Sequence, residues 1–293
     1  MSSAVTEIAP GRLYALSSPF EIDGRVSWYP PEVRGASVIN CYLLIEGEEA
    51  LLIDTGLAFH AQDLLDALER LLPSSPRLSV LYTRVGEYQS ISNTPLIHAR
   101  FPLETIYGAA PECSVWSDFG AEREWGVPSV LGEVPSRVLR SSQEIELGGA
   151  GRTLLVANSV LRLLTNHWVY DSATATLFSG DVFTYGIKTA AEGPWAIDPT
   201  ADRVSASDVR RHLVGTRYWW LDEADVEVIR RGLRSFFASH DVSTIAPGYG
   251  CLIRGEALVR RHVRLLDEAL GGGRSARVRA KQRAQYNGVG GRG

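Results

Sequence analysis

Histidine and cysteine are scarce in this chain of 293 residues, at six and three. The cysteines, Cys41, Cys113 and Cys251, are odd in number, far apart, and form no CxxC pair. That pattern argues against a disulfide framework and for a reducing compartment. Lysine is nearly absent: of 30 cationic residues only Lys188 and Lys281 are not arginine. No run approaches the roughly 18 apolar residues of a membrane span. The N-terminus "MSSAVTEIAPGRLYAL" lacks a basic region followed by an apolar core. A cytoplasmic protein without a membrane partner is expected. The net charge of −4 argues against a nucleic-acid or membrane-surface protein as a whole. No segment of 20–50 residues repeats.

What is present suffices for a sizeable core, with 45% hydrophobic and 22% charged residues. Residues 37–46 and 49–56 are apolar and β-branched around Gly47-Glu48, which predicts a hairpin. Residues 58–72 place leucines at helical spacing. A strand is expected over 77–83, a weak helical stretch over 90–100 and a short strand over 105–109. Strand-like segments recur at 136–140, 143–147, 152–158 and 167–181, the last a hairpin ending at Asp181. Residues 184–220 read as a variable region rich in aromatics. Helices are predicted over 223–240 and 256–270, with a strand running into a turn over 242–250.

Two segments stand apart. "VLYTRVGEYQSISNTP", residues 80–95, lies where a strand hands over to a helix, yet carries no His or Cys. The end of the chain, residues 271–293, holds Arg274, Arg277, Arg279, Lys281, Arg283 and Arg292 and no acid. Its charge of +6 leaves −10 on the remainder of the −4 chain. Its glycine-rich, apolar-poor composition predicts a disordered basic tail after a domain spanning 1–270. The tail reads as a solvated arm; the alternative is docking on an acidic partner or nucleic acid, the one place where nucleic acid is entertained.

The order of these motifs resembles the metallo-β-lactamase superfamily. "NCYLLIEGEEALLIDTGL" is similar to its opening hairpin, with Asp54 at the structural Asp-x-Gly position. "LYTRVGEYQSISN" falls where the superfamily has Thr-His-x-His-x-Asp-His. "WVYDSATATLFSGDVF" resembles the segment ending in the bridging Asp, and "STIAPGYGCLIRGEAL" the last ligand loop. The form YDxxTxxLFSGDxF is most similar to the flavodiiron-like branch. The match runs over roughly residues 8–270. It implies an α/β protein, an αββα sandwich of two mixed β-sheets flanked by helices.

Carried over position by position, the resemblance implies a degenerate metal site. Its seven ligand positions fall on Arg84, Gly86, Tyr88, Gln89, Arg162, Asp181 and Tyr249. Only Asp181 is a ligand type. Arginine cannot ligate, glycine has no donor, and one carboxylate cannot retain a transition metal against water. No metal and no cofactor are therefore expected. Glu87 takes a non-ligand position and reads as a solvated loop acid. His60, His212, His240 and His262 fall in or beside helices, His98 after the loop and His167 in a turn; all read as packing or surface residues. Tyr82, Trp116 and Trp125 read as packing residues. Cys251, Ser90 and Ser179 have no evident base, and "GAGR" at 149–152 is no phosphate motif.

A buried Asp181 without metal is costly unless paired. Arg84 and Arg162 near it would make a structural salt bridge, the reading placed first. In the second reading these arginines, with Tyr88 and Tyr249, form an anion pocket. The aromatic region 184–220 then supplies a wall or a partner surface. The function expected is a non-catalytic binding or partner protein, a pseudoenzyme. Its partners would be a small anionic ligand, a second metallo-β-lactamase-fold chain, or a further copy of itself. The alternative is a hydrolase or oxidoreductase of the superfamily with altered chemistry on a small anionic substrate, either metal-free, through Arg84, Arg162, Tyr88, Tyr249 and Asp181, or on an unexpected metal.

Overall fold

A computed structural model describes residues 3–111, 113–118, 129–149, 151–161 and 166–272. Among these, seven strands form a first sheet in chain order: β1 (Ala4–Ala9), β2 (Leu13–Ile22), β3 (Gly35–Glu46), β4 (Glu49–Ile53), β5 (Arg77–Leu81), β6 (Leu103–Gly108) and β7 (Ser136–Val138). The first four pair antiparallel and the last four parallel. The second sheet holds β8 (Gln143–Leu147), β9 (Arg152–Asn158), β10 (His167–Asp171), β11 (Thr176–Gly180), β12 (Thr244–Pro247) and β13 (Ile253–Arg254). They lie in the order β13-β12-β11-β10-β9-β8. Both sheets are mixed, as expected.

The apolar runs are continuous because both faces of each sheet are covered. In β3 successive side chains alternate across the strand. Tyr42 and Leu44 join the core between the sheets, where they meet Leu154, Val169 and Phe178. Cys41 and Leu43 turn to the outer layer with Leu64 and Leu68 of α1 (Ala61–Leu71). The short helices α2 (Tyr88–Ile91), α3 (Thr94–Arg100) and α4 (Cys113–Trp116) complete that side. On the other side α5 (Ala206–Val214), α6 (Glu227–Ser239) and α7 (Glu256–Gly271) cover the second sheet. α7 buries Leu258, Val259, His262, Leu265, Leu266, Ala269 and Leu270, a stripe at helical spacing. No helix among the described residues is long and apolar enough to cross a membrane.

Several expectations need correction. β1 and β2 were not foreseen. In β2 the apolar pattern is interrupted by Ser17 and Ser18, whose hydroxyls bond Asn40 and Ser3. The region 184–220 is not merely irregular, since α5 lies within it. Ser205 caps that helix reciprocally with Asp208, a capping box readable in sequence. His167 does not sit in a turn; it opens β10 and is buried. Trp116 is exposed rather than packed. The expected basic tail lies, from residue 273 on, outside the described residues, as do Arg162 and Trp125.

Candidate functional site

The site forms where chain leaving β4, β5, β11 and β12 converges. Asp54 follows β4 and adopts φ 58°, a left-handed conformation rare for a residue with a side chain. Its Oδ1 accepts from the Thr83 amide at 2.9 Å and its Oδ2 from the Thr83 hydroxyl at 2.6 Å. Arg84, one residue on, is 1% exposed. Its Nη2 donates to Asp54 Oδ2 at 3.0 Å and its Nη1 to Asp181 Oδ1 at 2.8 Å. Its Nε donates to the Ser90 hydroxyl at 3.1 Å. Each of its three nitrogens thus donates a hydrogen bond. Burial works against its charge, but Asp181 and Asp54 outweigh that and its pKa is raised.

Gly248 makes this possible. A Cβ there would stand 2.5 Å from Arg84 Nη2 and 2.8 Å from Cζ. The ring of the neighbouring Tyr249 lies with its centroid 6.0 Å from Cζ, at the outer limit of a cation–π contact.

A second guanidinium completes the cluster, and it is not the one expected. Arg217 donates through Nη1 to Asp181 Oδ2 at 3.2 Å, and through Nη1 and Nη2 to the two oxygens of Glu87, both at 2.8 Å. Gln89 donates to the same Glu87 at 3.1 Å. Glu87 is therefore not a solvated loop acid but the bidentate partner of a mostly buried arginine. The chain is thus Asp54–Arg84–Asp181–Arg217–Glu87, alternating in sign. Of the sequence-predicted residues, the structure brings Arg84, Asp181 and Tyr249 together. Gln89 reaches the cluster through Glu87. Gly86 and Tyr88 are exposed. Arg162 lies outside the described residues. Sequence reasoning missed Arg217, which lies 130 positions from Glu87 in a stretch without periodicity.

The arrangement can be set beside known proteins. No family model and no curated protein matches the sequence. Solved structures do. The metal-soaked flavodiiron core from Synechocystis aligns at 17% identity and TM-score 0.66 over 91% of this chain and 61% of its own. Rubredoxin:oxygen oxidoreductase from Desulfovibrio gigas aligns at 17% and 0.65, over 92% and 62%. A metallo-β-lactamase from Pontibacter korlensis aligns at 14% and 0.54, over 92% and all of its length. The chain has the metallo-β-lactamase fold, in its flavodiiron-like form. It spans about three fifths of the length of these flavodiiron chains.

The described residues do not fit the metal centre that this fold implies. Among the described residues no three His, Cys, Asp or Glu side chains gather as a metal-ion site. The space between the Asp54 and Asp181 carboxylates is taken by a permanently charged guanidinium, which has no lone pair to offer.

Behind Tyr249 lies a layer of buried polar residues. Thr184 Oγ1 meets His212 Nε2 at 3.1 Å, and the His212 ring packs against Tyr29 with centroids 5.5 Å apart. Burial pushes His212 down to about 4. Burial likewise pushes the Cys251 thiol up to about 11, so at neutral pH it is no nucleophile.

His212 therefore carries a pH signature. Its folded pKa lies below that of an unfolded histidine, near 6.5. Below that value the unfolded chain takes up a proton the folded chain refuses. Stability is then complete above about pH 6.5 and falls as pH drops toward 4. Between pH 7 and 5 the loss from this group is about 2 kcal/mol. Burial lowers His60 and His262 too, which adds to the same slope. His212→Gln, followed by urea denaturation at both pH values, should remove about 2 kcal/mol of the difference. An unchanged slope would contradict the assignment.

Proposed function

We propose that this protein is a non-catalytic binding or partner protein that uses the metallo-β-lactamase fold without its metal chemistry. One observation carries the reading. Arg84 is bonded to Asp54 and Asp181 together, with all three of its nitrogens donating. Two-metal hydrolysis needs ions that polarise the substrate and generate hydroxide from bound water; a guanidinium cannot generate hydroxide, and this one is already spent on two carboxylates. An anion pocket at the same spot is not favoured, because Arg84 and Arg217 are both committed to carboxylates. The centre reads as an internal brace. A partner reading gains support from Tyr88 and Trp219, which are 47% and 68% exposed and flank Glu87 and Arg217 in sequence. Exposed aromatics of this kind suit an interface, and a second chain of this fold is the partner proposed.

Elemental analysis of protein grown with zinc, iron and manganese tests the reading. The expected result is no stoichiometric transition metal in wild type or in Asp181→Ala. A stoichiometric metal that disappears in Asp181→Ala would overturn it.

A further inference from the structure

Two aromatic rings separate the Arg84 centre from a cleft of about 790 Å³, within the size range of small-molecule sites. Tyr249 lies next to Arg84, and Tyr29 packs behind it with ring centroids 5.9 Å apart. The cleft opens beyond Tyr29, between its loop, the segment from Tyr185 to Val204, and α5. We propose that it binds a small, uncharged, mainly apolar molecule that donates one O–H or N–H to Nδ1 of His212.

One atom carries the argument. His212 lies on α5, is 7% exposed and lines the cleft. Its Nε2 meets the Thr184 hydroxyl at 3.1 Å. That hydroxyl has a single hydrogen, which it donates to the Asp181 carbonyl at 3.3 Å. Thr184 therefore accepts from Nε2, and the ring is the Nε2–H tautomer. Nδ1 is left with a lone pair. It has no hydrogen-bond partner among the described residues, and it is open to the cleft that the ring lines. Burial keeps the imidazole neutral at pH 7, so the lone pair is not lost to a proton. An acceptor held in this way at the floor of a cleft calls for a donor.

The groups around that nitrogen are apolar or already engaged. The Tyr29 hydroxyl meets Ser37 at 2.6 Å and the Thr184 carbonyl at 3.1 Å. The Tyr185 hydroxyl meets His262 Nδ1 at 3.1 Å. Their rings lie with centroids 5.5 and 6.1 Å from that of His212. Val33, Ile197 and Val204 add aliphatic surface to the lining. One oriented polar atom among apolar walls is the usual make-up of a small-molecule site. Fixed walls also limit the entropy lost on binding.

The charges of the cleft select no ion. Lys188 and Arg203 stand against Glu192 and Asp198. Asp198 accepts from the Thr200 amide and hydroxyl at 2.8 and 2.7 Å and lies within electrostatic reach of Lys188. Asp202 pairs with Arg261, and Asp208 with Arg211. An ionic ligand would meet its own sign beside each partner and would have to shed its water first. An uncharged one meets neither obstacle.

The test uses full-length protein carrying ring-15N histidine, titrated at pH 7 and followed by NMR. Phenol and indole are the donor probes. Fluorobenzene and benzothiophene have similar shapes and no donor, and benzoate and benzylamine carry charge. Phenol should bind about fivefold more tightly than fluorobenzene, the worth of one net hydrogen bond, and indole should exceed benzothiophene likewise. Saturating phenol should move the Nδ1 resonance of His212 upfield and leave that of His98, on α3, in place. His212→Phe keeps a ring and removes both nitrogens; it identifies the resonance and should bind phenol and fluorobenzene equally. The affinity ratio in wild type needs no variant, so it decides even if His212→Phe does not fold. Equal affinities of phenol and fluorobenzene for wild type overturn the proposal. So does an Nδ1 resonance unmoved at saturation, tighter binding of benzoate or benzylamine than of phenol, or no binding by either donor probe. The inference goes beyond the proposed function and fails separately from it: elemental analysis reads the Arg84 centre, and the histidine resonances read the cleft.

Discussion

Arg84→Met should destabilise the protein by about 3–5 kcal/mol, the cost of leaving buried carboxylates without their cation. Methionine keeps most of the volume, so the effect reports charge and hydrogen bonds rather than a cavity. Asp181 would retain Arg217 at 3.2 Å, and Asp54 would retain Thr83 alone. The triple variant Arg84→Met, Asp54→Asn, Asp181→Asn should recover part of the loss, because a neutral amide costs less to bury than a carboxylate. Urea denaturation at pH 7 reads both effects. A loss under about 1 kcal/mol for Arg84→Met would mean that the cluster behaves as a surface ion pair.

A second loss of similar size is expected at the opposite end of β11. Arg152 of β9 is buried and donates to Asp171 through Nη2 at 2.6 Å and Nε at 3.3 Å. Its Nη1 reaches across to the first sheet, to the carbonyls of Ile45 at 3.1 Å and Arg12 at 3.3 Å. Asp171 in turn accepts from the Thr174 hydroxyl at 2.6 Å and the Ala173 amide at 3.1 Å, which shapes the turn into β11. Asp171→Ala would leave Arg152 buried with only Glu46, at 3.4 Å, as a charged partner. The expected cost is about 3–5 kcal/mol. Asp171→Asn keeps acceptors for the turn and should cost less. The same denaturation assay compares them; equal losses for the two variants would show that the charge facing Arg152, and not the turn, is what Asp171 supplies.

These two clusters differ in how far they could be read in advance. The Asp171–Thr174 contact is local and sits inside the recognisable YDxxTxxLFSGDxF pattern. Arg84 beside Asp181 followed from placing each motif on a known loop order. Arg217 could not follow from that, because no motif surrounds it and its partner Glu87 lies far off in sequence. Glu87 itself was misread because position in an alignment says nothing about which distant arginine folds back onto it. At the level of the fold, β3, β4, β8, β9 and α7 were legible from unbroken periodicity. β1 and β2 were not, because buried serines that bond across the sheet interrupt the apolar pattern. α5 announced itself only through its Ser205–Asp208 cap, which the aromatic bias of the surrounding segment obscured.

The brace at Arg84 has one more consequence. An ion in such a place stabilises by mass action, so its contribution varies with its free concentration and vanishes in a chelator. A guanidinium on the same chain is present at a fixed effective concentration that dilution cannot lower. The stability of this protein should therefore be indifferent to chelators and to the supply of trace elements. The clasp between the two sheets, from Arg84 after β5 to Asp181 after β11, is carried by the chain itself.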